Sequence, residues 1–218
     1  MRIHLKINSG NEIIPYDHQP LLVGAFHKWM GINSEHGEVS LYSFSRLEGG
    51  KPVKNGLKFG SEATLFFSAY DTEIIKKIVW GIQLDNTMFH GMKVQEVTLE
   101  QDPDLEGRER FFVASPIFIK RNTDNHIEHI LFTDERAPQL LKETLQTKMK
   151  IAGIWDDDFE LYFDTTHAKA STKVVNYKGI GNKASWCSVI IKGKPETKLF
   201  AWNVGLGNST GIGFGAIK

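Results

Sequence analysis

Five glycines, Gly205, Gly207, Gly211, Gly213 and Gly215, fall within eleven positions of the segment NVGLGNSTGIGFGAIK, between small polar and apolar residues. Glycine admits positive φ and lets another backbone approach closely, so this stretch must lie against something: a ribose-phosphate chain, or a helix of a neighbouring unit. A phosphate-binding P-loop is the obvious rival. No Gly-Lys-Ser/Thr follows, and too little chain follows for the helix that a P-loop needs. A dinucleotide fingerprint fails for the same reason.

Upstream, the order of elements repeats. Ile3, Leu5 and Ile7 alternate with polar residues as a half-buried strand over Arg2 to Ile7 requires. A helix is expected over Leu21 to Ile32, then strands over Leu41 to Leu47 and Ala63 to Ala69, with EGGKPVKNGLKFG between them as a hairpin loop. Asp71 or Thr72 caps a helix whose Ile74, Ile75, Ile78, Val79 and Ile82 form one apolar stripe, and Met92 to Leu99 closes the unit as a strand. The acidic stretch EQDPDLEG, at 100 to 107, reads as a linker. Beyond it a second unit carries strands over Phe111 to Lys120, Phe159 to Tyr177, Ser185 to Lys192 and Phe200 to Val204, and a helix over Ala137 to Met149, with a short last helix possible over Glu196 to Phe200. The reading is an α+β chain of two tandem ferredoxin-like (RRM-like, βαββαβ) domains, 1–100 and 108–218, with a C-terminal glycine-rich loop.

The 26 basic and 26 acidic side chains cancel, so a nucleic-acid partner would have to be held by local basic patches. Cys187 is the single cysteine, which excludes an internal disulfide and a multi-thiolate metal site and suits a reducing cytoplasm. No run of about 18 apolar residues suggests a membrane span.

The glycine-rich segment resembles the Asn-x-Gly-x-Gly…Gly-x-Gly-Phe-Gly ending of the CRISPR-associated endoribonucleases of the Cas Six type. Pro15-Tyr16-Asp17-His18-Gln19 between the first strand and first helix is similar to that family's Pro-Tyr-x-x-Gln, and the helix before Gly91-Met92-Lys93 with the strand after it is also family-like. The resemblance implies cleavage of precursor CRISPR RNA within its repeats without metal or cofactor. The ribose 2′-hydroxyl attacks the adjacent phosphate, leaving a 2′,3′-cyclic phosphate and a 5′-hydroxyl. Such a reaction needs a base, an acid and positive charge beside the phosphate.

The family carries its histidine in or just after the first helix, where this chain has His27 and His36. On a helical wheel Leu22, Phe26, Trp29 and Asn33 share one side, and Pro20, Gly24, His27 and Gly31 the other, so His27 faces away from the expected core. Which histidine is base and which acid stays open. Tyr42 is a further catalytic candidate. Lys28 lies in the helix but aligns poorly with the family's lysine, which leaves the source of phosphate-stabilising charge unassigned. His126 and His129 have i, i+3 spacing without a third ligand, and Asp156 to Asp158 read as a solvated turn, so no metal site is expected.

Phosphate contacts come from lysine and arginine, and stacking from aromatic rings. Lys169, Lys173, Lys178 and Lys183 line one strand-loop-strand segment around Tyr177, and Arg46, Lys51, Lys54 and Lys58 line the corresponding hairpin of the first unit. With Lys28 and the five glycines these are the expected RNA-binding residues, although exposed basic hairpins often serve solubility alone. The expected partner is CRISPR repeat RNA, with other Cas proteins and a second copy of the chain left open. Two other readings compete: a non-cleaving RNA-binding subunit of a CRISPR effector complex, and a metabolite-binding ferredoxin-like enzyme.

Overall fold

The computed structural model describes residues 1–10, 12–31, 39–123, 127–166 and 169–218. Its first half runs β1 (Arg2–Asn8), α1 (Gln19–Met30), β2 (Tyr42–Phe44), the hairpin β3 (Lys51–Val53) and β4 (Gly56–Lys58), β5 (Glu62–Ala69), α2 (Thr72–Leu84) and β6 (Lys93–Glu100). The alternation in β1 buries Ile3, Leu5 and Ile7 completely, and both helices lay their apolar faces on that side of the sheet. Asp71 caps α2, its carboxylate accepting from the Glu73 N–H at 2.9 Å. The antiparallel sheet has the order β2-β5-β1-β6, that of a ferredoxin-like unit.

The second half runs β7 (Arg110–Phe111), β8 (Ile119–Asn122), β9 (Ile127–Ile130), α3 (Ala137–Ile151), β10 (Glu160–Phe163), β11 (Ser171–Tyr177), β12 (Ile180–Trp186), β13 (Val189–Lys192) and α4 (Pro195–Val204), then a 3-10 turn over Thr210–Ile212. Its sheet has the order β10-β13-β7. The last residues extend it: Val113 bridges Ile217 antiparallel, and Phe112 and Lys218 exchange backbone bonds of 2.8 and 2.7 Å. The same ferredoxin-like order thus recurs with its fourth strand contracted to the end of the glycine-rich loop, and the two expected ferredoxin-like folds stand in tandem.

Several elements differ from the sequence-based expectation. The strand expected over Phe111 to Lys120 breaks at Ser115-Pro116, where proline has no N–H to donate, and the chain changes partners so that Ile117 pairs with Ser185. The strand expected over Phe159 to Tyr177 is two strands, separated by a turn in which Asp164 accepts from the Thr166 N–H and hydroxyl. Phe200 to Val204 is the end of α4, not a strand. A short apolar run fits either state, and here Phe200, Ala201 and Val204 pack on the second core. The acidic segment 100–107 is anchored by Leu105, 2% exposed in that same core.

The two halves are tied by Arg2. Its guanidinium lies between the rings of Phe66 and Trp202, 3.8 and 3.7 Å from their centroids. It donates to the Ser68 hydroxyl at 2.6 Å and to the carbonyls of Trp202 and Ile217 at 3.1 and 2.8 Å. Burial lowers its pKa to about 9. Beside it Phe66, Ala114 and Ala216 form a small cluster spanning both halves, and the Arg46 N–H bonds the Ala114 carbonyl.

The glycine-rich loop is a second tie. All five glycines are buried. Gly213 has φ 90° and packs on the Gln19 amide and the Phe44 ring; Gly215 has φ 73° and sits directly on the Leu206 carbonyl, where a Cβ would collide. Inside the second half, Lys148 of α3, 3% exposed, donates from its ammonium to the carbonyls of Val204 and Gly205 and to the Thr210 hydroxyl at 3.1–3.2 Å. It thereby satisfies carbonyls at the end of α4. Burial lowers its pKa to about 7.

Three outcomes follow for denaturation experiments. Arg2→Ala strands two buried carbonyls and costs on the order of 3 kcal/mol in chemical unfolding. Gly215→Ala costs about 2 kcal/mol or more, since it adds a clash to a left-handed backbone. Because Lys148 holds its proton less tightly folded than unfolded, its contribution to stability grows as pH rises from about 7 towards the unfolded lysine pKa. Melting curves across that range will therefore rise more steeply for the wild type than for Lys148→Met.

Candidate functional site

The loop, α3 and the β8–β9 hairpin enclose a cavity of about 540 Å³, walled by Ser40, Lys120, Arg121, Lys148, Asn208 and Ser209 among others. Asn208 fixes this wall: its side-chain oxygen accepts from the Lys120 N–H at 2.9 Å, and its own N–H donates to the Phe118 carbonyl at 2.7 Å. The Thr210 hydroxyl, bonded by Lys148, in turn donates to the Ser40 carbonyl at 3.4 Å, joining the loop to the first half. Lys120 and Arg121 face the cavity against one carboxylate, Glu143, which pairs with Arg121 at 3.1 Å, and the Lys148 stem lines it too. Such a lining favours an anion with several hydrogen-bonding oxygens.

Of the expected catalytic residues, His36 lies outside the described residues. His27 is half-buried in the last turn of α1, while Leu22, Phe26 and Trp29 of its helix are buried as expected. Tyr42 is a core residue, 3% exposed and stacked on Phe67 at 5.2 Å, with its hydroxyl against Gly211. Lys28 reaches the end of α2, where it pairs with Asp85 at 2.9 Å and bonds Thr87. The Thr87 hydroxyl and Lys28 hold Asp85 well below the usual carboxylate range.

The expected RNA-binding residues sort into three groups. Gly205, Gly207, Gly211, Gly213 and Gly215 pack closely on neighbouring strands and loops, Gly213 alone also on a helix residue, Gln19, and the cavity is lined chiefly by the polar residues between them. Lys173, Lys178 and Lys183 are exposed on β11–β12, whose Tyr177 packs on the first core; Lys51 and Lys54 are exposed on β3–β4. Arg46 and Lys169, from different halves, converge on Trp186. The Arg46 guanidinium carbon lies 5.9 Å from its ring centre, and Lys169 lines a cavity of about 300 Å³ with it.

Arg46 also lines a cavity of about 340 Å³ between the halves, with His18, Asn55 and Asn176. His18 is buried, stacked on Phe89, its ring bonded to the Pro15 carbonyl at 2.8 Å. Burial and then the Arg46 charge lower its pKa. His126 is outside the described residues, and among those described no group of three or more His, Cys, Asp or Glu could hold a metal ion. His129 instead accepts from the Lys183 N–H and meets the Phe118 ring edge-on.

Lys120, Arg121, Lys148, Asn208 and Ser209 escaped the sequence reading. Asn208 and Ser209 were legible as the polar residues between glycines. Nothing in the sequence marks Lys148, which reads as an ordinary basic residue in a helix's last turn.

No curated protein matches. Among solved structures, a CRISPR associated protein Cas6 aligns with TM-score 0.83 at 22% identity over 100% of this chain and 98% of its own. The product of a Cas6-related gene from Pyrococcus furiosus aligns with TM-score 0.83 at 21% identity, covering 100% and 97%. A RAMP protein described as binding different RNA substrates aligns with TM-score 0.85 at 19% identity, covering 100% and 98%. The family model for CRISPR associated protein Cas6, C-terminal, matches residues 99–218. That match spans more than half of the chain, including its second core and the whole glycine-rich loop, and so the chain belongs to the CRISPR-associated Cas6 family, in the realm of CRISPR RNA processing or binding.

Proposed function

We propose that this protein is an endoribonuclease that cuts precursor CRISPR RNA within its repeats, by attack of the ribose 2′-hydroxyl on the adjacent phosphate and without a metal ion. One observation carries the reading most: a polar cavity walled by Lys120 and Arg121 lies against the polar residues of the glycine-rich loop. The 2′-hydroxyl loses a proton and the 5′-oxygen of the leaving nucleoside gains one, roles that suit the imidazole side chain, whose unperturbed pKa lies near neutrality. His36 and His27 are the candidates, with Tyr42, whose hydroxyl lies against Gly211, the third.

Negative charge builds on the non-bridging phosphate oxygens during attack. Lys120 would meet it, with the hydrogen-bonding groups of Asn208 and Ser209 beside it on the cavity wall. Lys28, expected among the RNA-binding residues, pairs with Asp85 at 2.9 Å. The repeat RNA is the partner, residues 1–100 and 108–218 are the two units that hold it, and a reducing cytoplasm is the compartment. Association with other Cas proteins or with a second copy belongs to the same proposal.

The engagement of Lys28 and the burial of Tyr42 favour the second reading, an RNA-binding subunit that does not cut. The two are separated by incubating the protein with the host's repeat RNA in EDTA and resolving the products on a denaturing gel. A single cut ending in a 2′,3′-cyclic phosphate is expected, slowed about 10²- to 10⁴-fold in His36→Ala and in His27→Ala if each transfers a proton. Tight binding with no product would establish the non-cleaving subunit instead. Lys120→Ala is expected to slow cutting by about tenfold or more while shifting RNA affinity less.

A further inference from the structure

We infer that the cavity between Phe112, Trp186 and Ser188 is a pocket for one unpaired nucleobase of a single-stranded RNA, separate from the cutting cavity. The inference rests on the RNA reading above and adds where a second part of the strand is held. Extending the Phe111–Val189 pairing by one residue makes Phe112 and Ser188 neighbours across the strands, and Lys218 pairs with Phe112 from the other side. Ser188, Phe112 and Lys218 therefore form one row across three strands. Phe111 and Val113 point into the core, so the row lies on the opposite face of the sheet.

The row lines a cavity of about 300 Å³ completed by Trp186, Cys187 and Lys169, the lower end of the range for small-ligand sites. Its chemistry suits a base. Phe112 is 46% exposed and Trp186 half-buried, so two aromatic surfaces are offered for stacking. The Ser188 hydroxyl is buried and has no hydrogen-bond partner among the described residues. A buried hydroxyl left this way is costly unless a bound group completes it, and a base edge offers both donors and acceptors.

Charge is arranged at the rim. Lys169 is exposed and Lys218 pairs with Glu48 at 3.0 Å. Arg46 lies over Trp186 and opens on the neighbouring cavity between the halves. A base seated in the pocket would thus have cations on two sides of its backbone, and a strand could continue past Arg46 along the junction. None of the residues lining this pocket lines the cutting cavity.

The test uses the full chain and synthetic host repeat RNA carrying 4-thiouridine at successive positions. Irradiation is expected to crosslink one position to Phe112 or Trp186, identified by mass spectrometry. Phe112→Ala should weaken repeat binding about 5- to 100-fold, the range of base–aromatic stacking, while Phe112→Trp restores it. Ser188→Ala, a minimal change, should weaken binding severalfold, and Lys169→Ala should lower the salt slope of binding by about one ion. Wild-type binding that is unaffected by Phe112→Ala, with crosslinks only elsewhere, would overturn the pocket and leave the RNA reading standing. Absence of repeat binding by the wild type would overturn the RNA reading itself. Uridine or adenosine monophosphate competing as well as the repeat would make this a mononucleotide site and likewise sink the proposal of a strand.

Discussion

A guanidinium buried with its nearest carboxylate 4.0 Å away, at Glu100, is an expensive object, and this fold is organised around one. Arg2 repays its desolvation through two flanking rings, a serine hydroxyl and two carbonyls. Those partners come from β5, from α4 and from the last residues of the chain, so the bond set forms only when the two halves are docked. The second half, in turn, completes its sheet only with those same last residues, because Ile217 both pairs with Val113 and accepts from Arg2. Ile217 thus belongs both to the second sheet and to the junction of the halves.

The glycine-rich loop is the consequence. Between the end of α4 and the contracted fourth strand, the chain must pass through the seam without side chains, beside Leu206, Phe118, Ser40 and Gln19. Its density of glycine serves that passage. Where the loop carries polar residues instead, Asn208 to Thr210, it turns outward enough to wall the cavity with Lys120 and Lys148. One packing solution thus yields both the tie between halves and the surface offered to an anion.

The functional groups follow the same division. Residues on hairpins, such as Lys54 and Lys178, stand in solvent wherever the halves lie. Arg46 and Lys169 acquire a shared target in Trp186 only because the halves are docked, and Lys148 faces the cavity only because α4 ends above it. Lys28 shows the reverse: exposed on its helix in any local reading, it is taken up by Asp85 and Thr87 from a segment 57 residues away.

By itself the sequence determined the repeated strand and helix order, the caps and the apolar stripes, because these rest on periodicities of two and 3.6 residues and on the chemistry of a few neighbours. The β1 alternation, the Asp71 cap and the α2 stripe all stand where the residues put them. It also carried the family, through glycines whose spacing is itself the signal. Only the tertiary structure decided that Phe200 to Val204 is helical, that the strand after Phe111 breaks to change sheets, that the glycines are buried, and which cations share a site. Those outcomes depend on contacts between residues tens to hundreds of positions apart. A short apolar run, a buried glycine or an exposed lysine looks the same along the chain whichever partner it meets.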